Sequence, residues 1–271
     1  MPHPYLEMPR PAVFGHRGAS GERPENTLPA FELALELGAD ALELDVHGTR
    51  DGEIVVLHDG RLERTTDGQG PVAELRYEQV RKLDAGHHFT TDGGRSHPFR
   101  GRGIRVPRLQ EVFDAFPEAR CNIEIKASEA WLIDATLQCI GRAGRSELTL
   151  LAAERDETMQ RIRQRCGALA RPPATGAALG EVVAFVRAAL GECEPPSGPM
   201  ALQIPPEFAG RPLVTPALVG FAHAQGVAVH VWTVNEPPEI ERLLDLDVDG
   251  IMSDFPGRVR RIVDARGGAS R

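Results

Sequence analysis

Nine short apolar, β-rich runs recur along the chain, separated by stretches whose apolar residues repeat at helical spacing, and one connection is too short for a parallel crossover. The runs are residues 13–15, 41–46, 54–57, 121–125, 148–153, 167–170, 200–204, 227–234 and 250–252. Helical patterns cover 28–37, 131–142, 154–165, 179–190, 215–225 and 237–246, with Gly38 and Gly226 standing where helix stops belong. Alternation of this kind predicts βαβ units around a parallel sheet. The second and third runs must instead form a hairpin. Its Asp51-Gly52 suits a two-residue type I′ loop, a register that sets Arg50 opposite Glu53 and Asp45 opposite His58. Setting 54–57 aside leaves eight staves. A single α/β barrel needs about 250 residues, so the 271-residue chain is expected to form one (β/α)8 TIM barrel domain over 1–271.

Between 59 and 107 lies a stretch rich in Gly, Arg and polar residues, with one amphipathic segment at 75–83. So long a connection inside a barrel predicts a small insertion after the hairpin, lying over one barrel end. The tail, 267–271, is expected to be disordered. No run of about 18 apolar residues exists to span a bilayer, and no basic segment followed by an apolar stretch opens the chain as an export signal would, so a cytoplasmic location is expected. With 31 basic against 39 acidic side chains, the balance argues against nucleic acid as a partner, because that affinity rests on clustered Lys and Arg. Cys121, Cys139, Cys166 and Cys193 lack metal-finger or paired spacing and read as reduced packing residues. Only Lys82 and Lys126 are lysines, which singles out any lysine in a chemical setting.

Period-two alternation puts Glu43 and Asp45 on one face of their strand, with Leu42, Leu44 and Val46 on the other. That face is either a polar exterior or the barrel interior; in the interior, two adjacent carboxylates require a cation. In Asn122-Ile123-Glu124-Ile125-Lys126 the polar residues likewise share a face. Three carboxylates from two strands suit Mg2+ or Ca2+ better than zinc, with Lys126 either beside an anionic ligand or in an ordinary salt bridge. His16 and His58 end their strands; alone each reads as a hydrogen-bonding residue, but together beside a metal they suit acid/base cleavage of a phosphate ester.

These residues resemble the glycerophosphodiester phosphodiesterase family. The strings His16-Arg17-Gly18, Glu25-Asn26-Thr27, Glu43-Leu44-Asp45-Val46, TRDGEIVVLHD from Thr49 to Asp59, LERTTDGQG, Val106-Pro107 before RLQEVF, NIEIK, Val231-Trp232-Thr233-Val234-Asn235 and Gly250-Ile251-Met252-Ser253-Asp254 match its pattern in order over nearly the whole chain. The resemblance implies a barrel with its active site at the carboxyl ends of the strands, hydrolysing glycerophosphodiesters to an alcohol and glycerol 3-phosphate with a divalent metal. It implies Glu43, Asp45 and Glu124 as metal ligands, His16 and His58 as the acid/base pair, Arg17 and Lys126 on the phosphoryl oxygens, and Trp232 in the substrate pocket, where the residue-level alternative is barrel core. Glu25 is expected to orient Arg17, Asn26 to cap the helix near Leu28, and Gln203 to face the lumen. His3, His47, His87, His88, His97, His223 and His230 read as structural or surface residues.

Three other readings compete. An enolase-like lyase using Lys126 as base has no use for His16 and His58. A silent phosphodiester-binding barrel should lack a ligand or a histidine, and none is missing. The third is a lysophospholipase D-like phosphodiesterase, since pocket shape in the insertion sets the alcohol or lysophospholipid chain accepted; the absence of an anchor favours small soluble diesters. Which His is acid, and whether water or the glycerol 2-hydroxyl attacks, are open in the sequence.

Overall fold

Alternating side chains in short strands leave one set for a barrel interior and the other for surrounding helices, and the structure is built on that division. The computed structural model describes residues 3–268. In chain order the elements are β1 (Ala12–His16), α1 (Leu28–Glu36), β2 (Ala41–Gly48), β3 (Ile54–Val56), α2 (Tyr77–Val80), α3 (Leu109–Ala115), β4 (Arg120–Ile125), α4 (Ala130–Arg142), β5 (Thr149–Ala152) and α5 (Asp156–Cys166). They continue with β6 (Ala174–Thr175), α6 (Leu179–Ala189), β7 (Ala201–Ile204), β8 (Glu207–Phe208), β9 (Arg211–Pro212), α7 (Pro216–Ala224), β10 (Ala228–Val231), α8 (Pro237–Asp245), β11 (Gly250–Ser253) and α9 (Pro256–Gly268). Eight parallel strands run in the order β6-β5-β4-β2-β1-β11-β10-β7, and a parallel bridge from Gly176 to Ala201 joins the two ends. The expected (β/α)8 TIM barrel is the fold. β3 pairs antiparallel with β2 outside the ring, and β8 and β9 form a separate small hairpin after β7.

Outward residues such as Leu42, Leu44, Ile123, Leu202 and Val229 pack under the helices. Inward residues at the strand starts, Ala12, Phe14, Ala41, Leu150, Ala174 and Ala201, close the barrel floor together with Tyr5 from the 3-10 turn Pro4–Leu6. Phe14 is fully buried in this alanine-rich layer, with its ring 4.8 Å from that of His230. Phe14→Ala is expected to cost about 3–5 kcal/mol, because small neighbours cannot fill the void; equilibrium denaturation should show a lowered midpoint at unchanged slope.

Two expectations are corrected. The sixth stave is not 167–170: the N–H groups of Gly167, Ala168 and Leu169 donate to carbonyls of Arg163, Arg165 and Cys166, so these residues stay in the turn leaving α5. Pro172 and Pro173 offer no donor, and pairing begins at Ala174. The hairpin register is also one residue off, with Val46 opposite Val56 and Gly48 opposite Ile54. Its loop holds three residues, 50–52, of which only Gly52 has positive φ (85°), whereas a type I′ turn needs two such residues. The Asp51 carboxylate is occupied by the Thr49 hydroxyl and the Tyr77 N–H. Leu57, not His58, therefore bonds back to the Asp45 carbonyl.

Residues 59–107 run between β3 and α3 and carry a small apolar cluster, including Leu62, Val72, Tyr77, Val80 and Val106, over Val55 and Leu57. The amphipathic segment at 75–83 yields only the single turn α2. At the other end α9 runs to Gly268; of the tail expected at 267–271, residues 269–271 lie outside the described residues. Among the described residues no helix is long and apolar enough to cross a membrane.

Candidate active site

The carboxyl ends of β1, β2 and β4 stand side by side, with His16 in register with Glu43 and Asp45 with Glu124. Glu43 and Asp45 face the interior and are 5% and 1% exposed, which settles the sequence's choice between interior and outer face. One carboxylate oxygen from each of Glu43, Asp45 and Glu124 falls within 4.8 Å of the others. An all-oxygen, anionic set of this kind fits a hard divalent cation. Lys126, one residue beyond β4, places its Nζ 3.0 Å from Asp45 Oδ1 and 2.7 Å from Glu124 Oε2.

Arg17 follows His16 with a positive φ of 54°, and Gly18 continues the turn at 83°. A Cβ at Gly18 would fall 2.6 Å from the Ala30 carbonyl carbon, so only glycine fits. The turn aims the Arg17 N–H at Glu43 Oε2, 2.9 Å away, and sets its Nε 3.4 Å from Asp45. Glu25 accepts from Arg17 Nη1 at 3.0 Å, as expected. Asn26 does not cap α1. Its side chain donates instead to Asp45 Oδ2 at 2.8 Å, a buried carboxylate being the stronger acceptor, and Thr27 takes the N-cap position.

Burial and the neighbouring Asp45 charge push Glu43 well above the carboxylate range. Burial also opposes charge on Asp45, but Lys126, Arg17 and the Asn26 amide outweigh it and hold that group low. Three carboxylates thus meet two fixed cations, and Glu43 carries the unmet part of the demand for positive charge.

His16 Nδ1 lies 2.7 Å from Asp254 Oδ1, leaving Nε2 on the pocket side, 4.0 Å from Glu43. Burial works against the imidazolium, but the bond to Asp254 and the Glu43 charge prevail and raise His16. Asp254 is itself kept near 2: burial opposes its charge, while His16, Asn235 and Ser20 overcome that opposition. His58 repeats the arrangement, with Nδ1 2.6 Å from Asp59 Oδ1. Asp59 is gripped by Arg64 Nε at 2.5 Å, and the same guanidinium makes two bonds to Glu25, at 2.6 and 2.7 Å. A continuous chain of side-chain hydrogen bonds therefore links His58, Asp59, Arg64, Glu25 and Arg17. His47 Nε2 meets the His58 carbonyl at 3.0 Å.

Asp254, Asp59 and Arg64 went unassigned in the sequence, and His47 was read there as a structural or surface residue. Asp254 had a readable signal, since Gly250, Met252 and Asp254 alternate inward along β11. Trp232 and Gln203 both line the cavity, and Gln203 donates to Asn122 Oδ1. Of the remaining histidines, His230 is buried in the floor, His223 bonds Asp249, His3 meets the Pro172 carbonyl, and His87, His88 and His97 lie in the 59–107 segment.

All eight candidate residues, His16, Arg17, Glu43, Asp45, His58, Glu124, Lys126 and Trp232, line one cavity of about 620 Å³. A family model described as the glycerophosphoryl diester phosphodiesterase family matches residues 16–258. The probable glycerophosphodiester phosphodiesterase 2 of Mycobacterium tuberculosis is 34% identical over 94% of this chain and 91% of its own. A human lysophospholipase D is 31% identical over 91% of this chain and 84% of its own. Among solved structures, an Oleispira antarctica phosphodiesterase in complex with the product sn-glycerol-3-phosphate is similar at a TM-score of 0.74 and 24% identity, covering 94% of this chain and 97% of that one.

Proposed function

The chain belongs to the glycerophosphoryl diester phosphodiesterase family, and from that premise we propose that it hydrolyses glycerophosphodiesters to an alcohol and sn-glycerol 3-phosphate with a divalent metal, Mg2+ or Ca2+. One observation carries the reading: three carboxylates, two cations and two imidazoles, each tied through Nδ1 to a carboxylate, converge on a single cavity. Glu43, Asp45 and Glu124 would hold the metal, which supplies charge stabilisation at the phosphoryl oxygens when bound.

Arg17 and Lys126 are suited to the remaining phosphoryl oxygens, being fixed by Glu25, Asp45 and Glu124 before any ligand arrives. His16 and His58 present Nε2 while their carboxylate partners hold the ring and the tautomer. One imidazole takes the proton of the nucleophile, and the other protonates the departing alkoxide. Trp232, 41% exposed at the cavity wall, packs against the organic part of the diester. The partner in this reading is a small molecule. An enolase-like role for Lys126 is disfavoured, because its ammonium is committed to Asp45 and Glu124, which raise it further against the opposing effect of burial.

The test is release of sn-glycerol 3-phosphate from glycerophosphocholine by chelator-stripped protein, with Mg2+, Ca2+ or no metal added back, beside Glu43→Ala. Metal-dependent release that the variant lacks is the expected result. No release with either metal overturns the proposal.

A further inference from the structure

The motif LERTTDGQG follows the hairpin, yet none of its residues lines the cavity. Its turn is nevertheless firmly anchored. Leu62 is fully buried, and Thr66, 1% exposed, gives both its hydroxyl and its N–H to the Leu62 carbonyl. Between these anchors the turn carries Arg64 to two carboxylates. Its Nε and Nη2 donate to the two oxygens of Asp59, at 2.5 and 3.3 Å, and its Nη1 and Nη2 donate to the two oxygens of Glu25, at 2.6 and 2.7 Å. Each carboxylate therefore takes one edge of the planar guanidinium, a double fork that an ammonium could not reproduce.

Each carboxylate in turn holds a group of the site. His58 Nδ1 lies 2.6 Å from Asp59 Oδ1, and Arg17 Nη1 donates to Glu25 Oε1 at 3.0 Å. Burial opposes charge on both acids, and the bonds from Arg64 lead what overcomes it, keeping Asp59 at about 2 and Glu25 below the ordinary range. Donors at fixed angles set the separation of the two carboxylates, and through them that of a ring and a cation that arrive from different strand ends.

We propose, on the phosphodiesterase reading, that Arg64 is a positioning residue: touching no substrate, it fixes His58 through Asp59 and Arg17 through Glu25, so that acid/base ring and phosphoryl-binding cation keep one spacing. An ordinary surface ion pair would contribute little to stability and nothing to turnover. The two arms act on different kinetic constants. The Asp59 arm governs proton transfer and hence kcat, whereas the Glu25 arm governs the grip on bound phosphoryl oxygens and hence KM.

Steady-state kinetics on glycerophosphocholine with metal present test this. Arg64→Ala is expected to lower kcat by about 10–100-fold, the range for a group that orients site residues from behind them. KM should rise by up to about tenfold, because Arg17 loses its brace and keeps its charge. In an Asp59→Asn background the further fall in kcat should shrink to under about twofold while the rise in KM persists, and in Glu25→Gln the reverse should hold. Free guanidinium ion, which can enter because the Arg64 side chain is 46% exposed, should restore part of kcat to Arg64→Ala, and ammonium should not. Arg64→Lys keeps the charge and the stem, so it guards against a folding defect; it should lose nearly as much kcat as Arg64→Ala. Wild-type kcat and KM in either variant overturn the coupling and leave the phosphodiesterase reading standing, as do losses of equal size in all three backgrounds. No cleavage by the wild-type protein overturns both.

Discussion

His16→Ala and His58→Ala are each expected to lower kcat by roughly 10²–10⁴-fold, the contribution typical of a positioned acid or base. The two rings enter from different strand ends yet are built alike. Each gives Nδ1 to a carboxylate, Asp254 at 2.7 Å or Asp59 at 2.6 Å, and keeps Nε2 for the cavity. Because the two act at opposite ends of one displacement, removing both should cost far less than the product of the single losses. Asp254→Asn should retain the ring but not its tautomer, giving a smaller fall in kcat with KM little changed. Steady-state kinetics on glycerophosphocholine check all of these values. Full activity in either alanine variant would remove that histidine from the mechanism.

Metal removal should have the second large effect, on stability as well as turnover. Glu43, Asp45 and Glu124 face Arg17 and Lys126, so the carboxylates of the site outnumber its fixed side-chain cations by one. At a free metal concentration about 100 times Kd, binding to the native state alone stabilises by about 2.7 kcal/mol. At about 2–4 °C per kcal/mol for a chain of this size, Tm should rise by about 5–11 °C. The pH dependence follows from Glu43, whose native pKa is raised from the ordinary 4.5 to about 7 by burial and by the Asp45 charge. The metal-free native state then binds more protons than the unfolded chain between these values, so its stability falls as pH rises through the window. Metal needs the ionised form, so its increment in Tm should grow with pH over the same window. Thermal melts with and without Mg2+ or Ca2+, across that range, provide the measurement. Glu43→Gln should abolish the increment, stabilise the metal-free protein, and lower turnover by roughly 10²–10³-fold, the loss expected when one group organising the developing charge is removed.

How much of this was legible beforehand depended on distance along the chain. Glu43 with Asp45, and Glu124 with Lys126, are two residues apart on single strands, and strand geometry alone puts each pair on one face. The hairpin was legible as a hairpin but not in its register, because Asp51 bonds the N-terminus of α2, a contact with a segment 26 residues away. The sixth stave was misplaced because an apolar run after a helix satisfies its donors on that helix as readily as on a neighbouring strand. Asn26 was read as a cap from its local position, whereas a buried carboxylate from another strand claims it.

Local chemistry and periodicity, then, were enough for the sequence by itself to determine the alternating barrel plan, the shared face of each set of polar strand residues and the family-like motifs at the strand ends. Only the tertiary structure decided that Asp254 reaches back across 238 positions to hold His16, that Arg64 ties the two halves of the cationic site together, and that α6 and the β8–β9 hairpin line the cavity with apolar side chains. The reason is physical. Strand alternation repeats every two residues and is written locally, but which strand end meets which is set by ring closure, and no residue carries that information in its own neighbourhood.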